Sequence, residues 1–180
     1  MSKIWLTSDL HLSHDREFIY EPRGFNSVHE MNEQIIKNFN EVVDDDDDLY
    51  LLGDLMLNDN VAGLKLLNQL PGRKHLILGT HDTDTRVELY KTGRQVVEIL
   101  GYASILKYNK FHFYLCHYPT MTANFDLDKY LSQRLLSLSG HTHSQDKWDL
   151  AGGYNVALDA HNCYPVEINT IIQDFKNKYS

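Results

Sequence analysis

Apolar residues in this chain come in short blocks that stop abruptly at polar ones. "KIWLTSD" (3–9), "LYLLGD" (49–54) and "KHLILG" (74–79) each read as a buried strand delivering polar side chains to its end. "FHFYLCHY" (111–118), "LLSLSGHTH" (135–143) and "YNVALDAH" (154–161) repeat the pattern, and "VEINTIIQDFKN" (166–177) reads as a strand running into a helix. Between the early strands the period changes. Ser27 with Glu30 is a capping-box signal, and Met31, Ile35, Ile36, Phe39, Val42 and Val43 follow at helical spacing. A second helix is expected from about Val61 to Leu70, closed by "PGR", and a third from about Asp84 to Lys91, stopped by Gly93. "LHLSHDREFIYEPRGFN" (10–26) reads as a loop and Asp44–Asp48 as a solvated turn, since a calcium loop would need interleaved ligands and a glycine. From Val96 the texture turns to short β-rich runs, with "YNKF" (108–111) as a hairpin turn.

Strand and helix thus alternate in the first half, and strands dominate the second. The expected fold is α/β, with two β-sheets packed together and helices outside. Without a repeat, linker or break in composition, residues 1–180 read as one domain. A hydrophobic share of 42% and a charged share of 23% are those of an ordinary soluble chain. The net charge of −8 argues against a surface that grips nucleic acid broadly, although bound cations could reverse the sign of a local site. Two cysteines, Cys116 and Cys163, make neither a disulfide framework nor a thiolate zinc site, and Cys116 reads as a small buried hydrophobe. With no signal peptide and no run of transmembrane length, the setting expected is cytoplasmic and away from membranes.

Five apolar runs end at residues able to bind metal: Asp9 and His11; Asp54; His81 with Asp82; His117; and His141 with His143. One such histidine would be unremarkable, but five coincidences point to a shared centre on the rim of a sheet. Carboxylate with imidazole and no thiolate suits manganese, iron or zinc in an open catalytic site. Asp9, His11, Asp54, His117, His141 and His143 exceed the needs of one ion but suit two, with Asp54 between them. Two adjacent ions can clamp a phosphoryl group and activate a water.

"DLH" (9–11), "GD" (53–54), "GTHD" (79–82), "CHYP" (116–119) and "GHTH" (140–143), in that order and across nearly the whole chain, resemble the calcineurin-like metallophosphoesterases. The resemblance implies two mixed β-sheets packed as a sandwich flanked by helices. It also implies two divalent ions, manganese foremost, with iron, zinc or nickel as alternatives. Asp9, His11, Asp54 and His143 would hold one ion; Asp54, residue 80, His117 and His141 would hold the other. His81 would stand by the leaving group, with Asp82 orienting its ring.

Residue 80 departs from the family pattern, which has asparagine there. A threonine hydroxyl is a weaker ligand on a shorter, β-branched side chain, so the second ion should be held less tightly or through an interposed water. Thr80 could belong to a slower enzyme, to a protein that only binds metal and phosphate, or to a deliberately altered chain. His14 and Arg23 are candidate phosphate contacts, weighed against an exposed loop histidine and a surface salt bridge. Tyr118 could line the site or pack against it, and His161 could approach it. His29, His75 and His112 read as structural, and Trp5 and Trp148 have no assigned role. No long insertion forms a cap, so the site is expected to be open to a small phosphorylated substrate, such as a nucleotide or cyclic nucleotide. A nuclease of the same family is the less favoured reading, given the acidity.

Overall fold

In the computed structural model, which describes residues 2–120 and 128–179, the strands sort into two sheets. The first runs in the order β4 (Val96–Ile99), β3 (Arg73–Ile77), β2 (Asp48–Leu52), β1 (Ile4–Thr7), β9 (Val166–Glu167). Its members are parallel except for β9, which lies antiparallel to β1. The second runs β5 (Ala103–Tyr108), β6 (Phe111–Cys116), β7 (Leu135–Ser139), β8 (Tyr154–Asn155), with β5 antiparallel to β6 and the remainder parallel. Both sheets are therefore mixed, and the fold is the α/β arrangement expected.

Alternation along the strands builds two cores. Trp5, Leu49, Leu51 and Leu76 point one way, onto α2 (Val28–Val42) and α3 (Asn60–Leu67), where Met31, Ile35, Phe39 and Leu67 meet them. Leu6, Leu52 and Ile77 point the other way and pack against Phe113, Leu115, Leu136 and Leu138 of the second sheet. Phe175 and Ile171 of α5 (Ile168–Tyr179) join that second core. Ser27 caps α2 by accepting from the Glu30 amide at 3.2 Å, and Asp59 caps α3. Among the described residues, no helix is long and apolar enough to cross a membrane.

The textural break at Val96 falls inside the first sheet: β4 returns through α4 (Asp84–Tyr90) to pair in parallel with β3, and the second sheet starts at β5. Three expectations need correction. "YNVALDAH" is not one strand. Asn155 Oδ1 accepts the Ala157 amide at 3.0 Å, an Asx-type turn that ends β8 and leads into a 3₁₀ turn, Leu158–Ala160. The loop 10–26 contains a short helix, α1 (Glu17–Tyr20). The aspartate run is only partly solvated: Asp47 is buried and accepts from the Lys3 amide (2.7 Å) and Trp5 Nε1 (2.9 Å). The hairpin at "YNKF" is as expected, with Asn109 and Lys110 at φ 46° and 70°, the pair of positive angles a two-residue hairpin turn needs.

Candidate metal centre

The polar ends of β1, β2, β3, β6 and β7 meet because their loops stay paired beyond the strands. Asp9 N–H donates to Gly53 O (3.1 Å), His11 N–H to Asp54 O (3.0 Å) and Leu12 N–H to Leu55 O (3.0 Å), so "DLH" runs alongside "GD". Asp9 Oδ2 accepts the His141 amide at 2.8 Å, tying in the loop after β7; Asp54 Oδ1 accepts the His81 amide at 2.8 Å, tying in the loop after β3. Both approaches need glycine. A Cβ on Gly79 would stand 2.5 Å from Asp54 Oδ1, and one on Gly140 would collide with Asp9 Oδ2 and Ser8 Oγ.

Two clusters result: Asp9, His11 and His143; and Asp54, His117 and His141. In the first, Asp9 Oδ1 lies 3.8 Å from His11 Nε2 and 3.6 Å from His143 Nε2. In the second, His117 Nε2 lies 3.4 Å from Asp54 Oδ2 and 3.2 Å from His141 Nδ1. Asp54 Oδ2 is also 3.9 Å from His11 Nε2, which makes it common to both. Ligands about 2.0–2.2 Å from a divalent ion are separated from one another by roughly 3–3.5 Å. The second cluster's spacings already fall in this range, and the first cluster's are slightly wider and can close on an ion.

The rings are already turned for coordination. His117 Nδ1 donates to the Leu52 carbonyl at 2.9 Å, which points Nε2 at Asp54. His143 Nδ1 lies 3.3 Å from Asp159 Oδ2, again directing Nε2 inward. His11 Nδ1 meets His14 Nδ1 at 3.1 Å. Asp9 Oδ1 and His11 Nε2 are buried with no hydrogen-bond partner among the described residues, which is costly unless something else satisfies them. Backbone strain gathers here too: Asp9, His11, Asp54, His141 and His143 all have positive φ, between 48° and 71°. Such angles are uncommon outside glycine and persist where surrounding structure enforces them.

The electrostatics favour charged carboxylates and divide the imidazoles into two kinds. Burial alone would raise Asp54, but the hydrogen bond and charge of His117, with the His81 amide, bring it down to about 2. Asp9 is likewise lowered: burial opposes ionisation, and His11, His117 and His143 outweigh it. Burial lowers His11 and His141, keeping their lone pairs free. Burial would lower His117 and His143 as well, but Asp54 and Asp159 respectively raise both above the ordinary histidine value, so in the metal-free protein these two favour a proton that an ion would displace.

The remaining candidates fall differently. His81 stands at the edge of the clusters, 42% exposed, with Nε2 3.9 Å from Asp54 Oδ2. Asp82 does not orient that ring: its carboxylate accepts from the amides of Gly79 (2.8 Å) and Asp54 (2.9 Å) and from Tyr90 Oη (2.7 Å), bracing the two loops. Thr80 Oγ1 is 3.4 Å from His141 Nδ1 and 3.1 Å from Tyr118 Oη, so Tyr118 both borders the centre and packs on His117 and His141. Arg23 is not placed as a phosphate clamp. Its guanidinium is buried, forks onto Asp159 (3.0 and 2.8 Å) and donates to the Asp9 carbonyl at 2.7 Å. His161 turns away, its Nε2 donating to Asn155 O at 2.8 Å. Sequence reasoning missed Asp159, which links Arg23 to His143, and Ser8, whose Oγ donates to Asp9 Oδ2 at 2.6 Å.

His14 is buried, not exposed, and braces a candidate ligand. His14→Ala is expected to weaken Mn²⁺ binding about 10–100-fold, the usual cost of losing a group that orients a ligand. Calorimetric titration checks this, and unchanged affinity would show that His11 holds its orientation unaided.

No protein-family model matches the sequence. The uncharacterized protein MJ1445 of Methanocaldococcus jannaschii is 32% identical over 181 residues, covering 96% of this chain and 91% of that protein. The chain belongs to the same family as MJ1445. The gene 66 protein of Mycobacterium phage D29 is 28% identical over 200 residues, 98% of each chain. Among solved structures, a protein of unknown function from Aquifex aeolicus, AQ665, superposes with a TM-score of 0.70 at 24% identity, covering 96% of this chain and 99% of that one. An archaeal phosphodiesterase superposes with a TM-score of 0.50 at 15% identity, covering 86% and 82%. The MJ1445 family thus has the fold of AQ665 and, more distantly, of that phosphodiesterase, and in this member the fold carries two His/Asp clusters able to bind metal ions.

Proposed function

We propose that this protein is a metal-dependent phosphoesterase of the calcineurin-like type, acting on a small phosphorylated substrate. The observation that carries the reading is the position of Asp54 Oδ2, within 3.9 Å of the inward-facing Nε2 atoms of both His11 and His117, so that one carboxylate serves two clusters. Asp9, His11, Asp54 and His143 would hold one divalent ion, and Asp54, His117, His141 and the weaker Thr80 the other. Ions bound there would neutralise the phosphoryl oxygens and supply an activated water.

The chain's own residues account for the rest. Asp159 and the Leu52 carbonyl fix the imidazoles of His143 and His117, so no reorganisation is needed when a charged substrate arrives. His81, anchored through its amide to Asp54 Oδ1 and through its carbonyl to Arg86, keeps its ring at the solvent edge, where it can protonate a departing alkoxide. Likeness to a phosphodiesterase fold supports the reaction class, and the absence of thiolate ligands supports manganese or iron over a closed structural zinc.

Hydrolysis of bis-para-nitrophenyl phosphate with Mn²⁺, by the protein and by Thr80→Asn, tests the proposal. Nitrophenol release that depends on metal is expected from the natural chain, and about tenfold more from the asparagine variant, which restores a stronger ligand. Release by the variant alone would mean that Thr80 disables an enzyme and leaves a metal-binding protein. No release by either, with any divalent ion, would contradict the proposal.

A further inference from the structure

Phe18 is 69% exposed and its ring stands beside the polar centre. It lies on α1, where the adjacent Ile19 is buried and holds the helix down. Its ring stands at 90° to that of His14, with centres 5.8 Å apart. The His14 ring is 5.1 Å from that of His11 and 6.3 Å from that of His81. One imidazole therefore separates Phe18 from a candidate ligand on one side and from the proposed leaving-group residue on the other. A ribose between a phosphate and a base fills an interval of that order. Tyr118, the exposed aromatic beside the second cluster, is engaged differently: its hydroxyl meets Thr80 and its ring abuts His117 and His141.

Resting on the phosphoesterase reading, we infer that Phe18 is a stacking platform for the base of a nucleotide whose phosphoryl group lies over the two clusters. Every base has a π-face, so such a platform selects for a nucleoside without specifying which. The acidic chain, with a net charge of −8, favours a single nucleotide over a polynucleotide backbone. Phe18 makes this a specificity-determining residue: it touches the base and leaves the phosphoryl chemistry alone.

The test is calorimetric binding of adenosine 5′-monophosphate and of ribose 5-phosphate, in Mn²⁺, to the natural chain, Phe18→Ala and Phe18→Trp. The natural chain should bind the nucleotide about tenfold more tightly than the sugar phosphate, the order of effect that stacking one base supplies. Phe18→Ala should erase that difference without weakening the sugar phosphate, and Phe18→Trp should keep or enlarge it. Equal affinities for the two phosphates in the natural chain, or a nucleotide advantage that survives Phe18→Ala, would overturn the inference while leaving the phosphoesterase reading intact. If neither phosphate binds to any of the three proteins, the phosphate site itself is missing and both readings fall.

Discussion

Asp54→Asn is expected to lower metal-dependent hydrolysis about a thousandfold, because the shared carboxylate underlies several kcal/mol of transition-state stabilisation at roughly 1.4 kcal/mol per tenfold. The choice of asparagine isolates charge from geometry. Asp54 sits at φ 56°, an angle asparagine tolerates as well as aspartate, and an amide oxygen can still accept the His81 N–H. What disappears is the negative charge on Oδ2 facing His11, His81 and His117. The melting temperature should move by no more than about 4 °C, or about 1 kcal/mol for a chain of this size. Steady-state assays with a melting curve check both halves. An active variant would show that Asp54 is not the shared ligand.

Much of this centre was legible because apolar runs that stop at Asp9, Asp54, His81, His117 and His141 mark strand ends on one rim, whatever the sheet order. The sheet order itself was not legible. β4 and β9 come from the strand-rich half of the chain yet join the first sheet, and two-residue strands such as β8 and β9 carry too little period to announce their partners. Asp159 was hidden for a related reason. It lies on a three-residue 3₁₀ turn set up by an Asx contact at Asn155, and its partner Arg23 is 136 positions away. Nothing in "EPRGF" signals that the arginine is buried. Asp82 misled through adjacency: its neighbour is His81, but the turn sends its carboxylate back onto the amides of Gly79 and Asp54.

Arg23→Ala is expected to cost about 3 kcal/mol, the lower range for removing one partner of a buried ion pair, and hence roughly 10 °C of melting temperature. Both side chains are almost fully buried, so solvent screening does little to reduce the effect. The substitution also frees the Asp9 carbonyl and loosens the carboxylate that aims His143, so activity should fall with stability. Acid supplies a second readout. Burial would raise Asp159, but hydrogen bonds from His143 and Arg23 hold it well below the usual carboxylate range. A carboxyl depressed on folding stabilises above its unfolded value, about 3.9, and loses that contribution as pH falls through the folded one. The natural chain should therefore lose stability as pH falls from about 5 to about 2, and Arg23→Ala should lose less over the same window. Melting curves at the two pH values decide this; an unchanged melting temperature in the variant would mean the fork contributes little.

Crystals grown with Mn²⁺ and measured at its absorption edge locate the ions directly. Two anomalous peaks per chain are predicted, one among Asp9, His11 and His143 and one among His117 and His141, with the Asp54 carboxylate touching both. A single peak, or peaks away from these side chains, would contradict the two-ion centre.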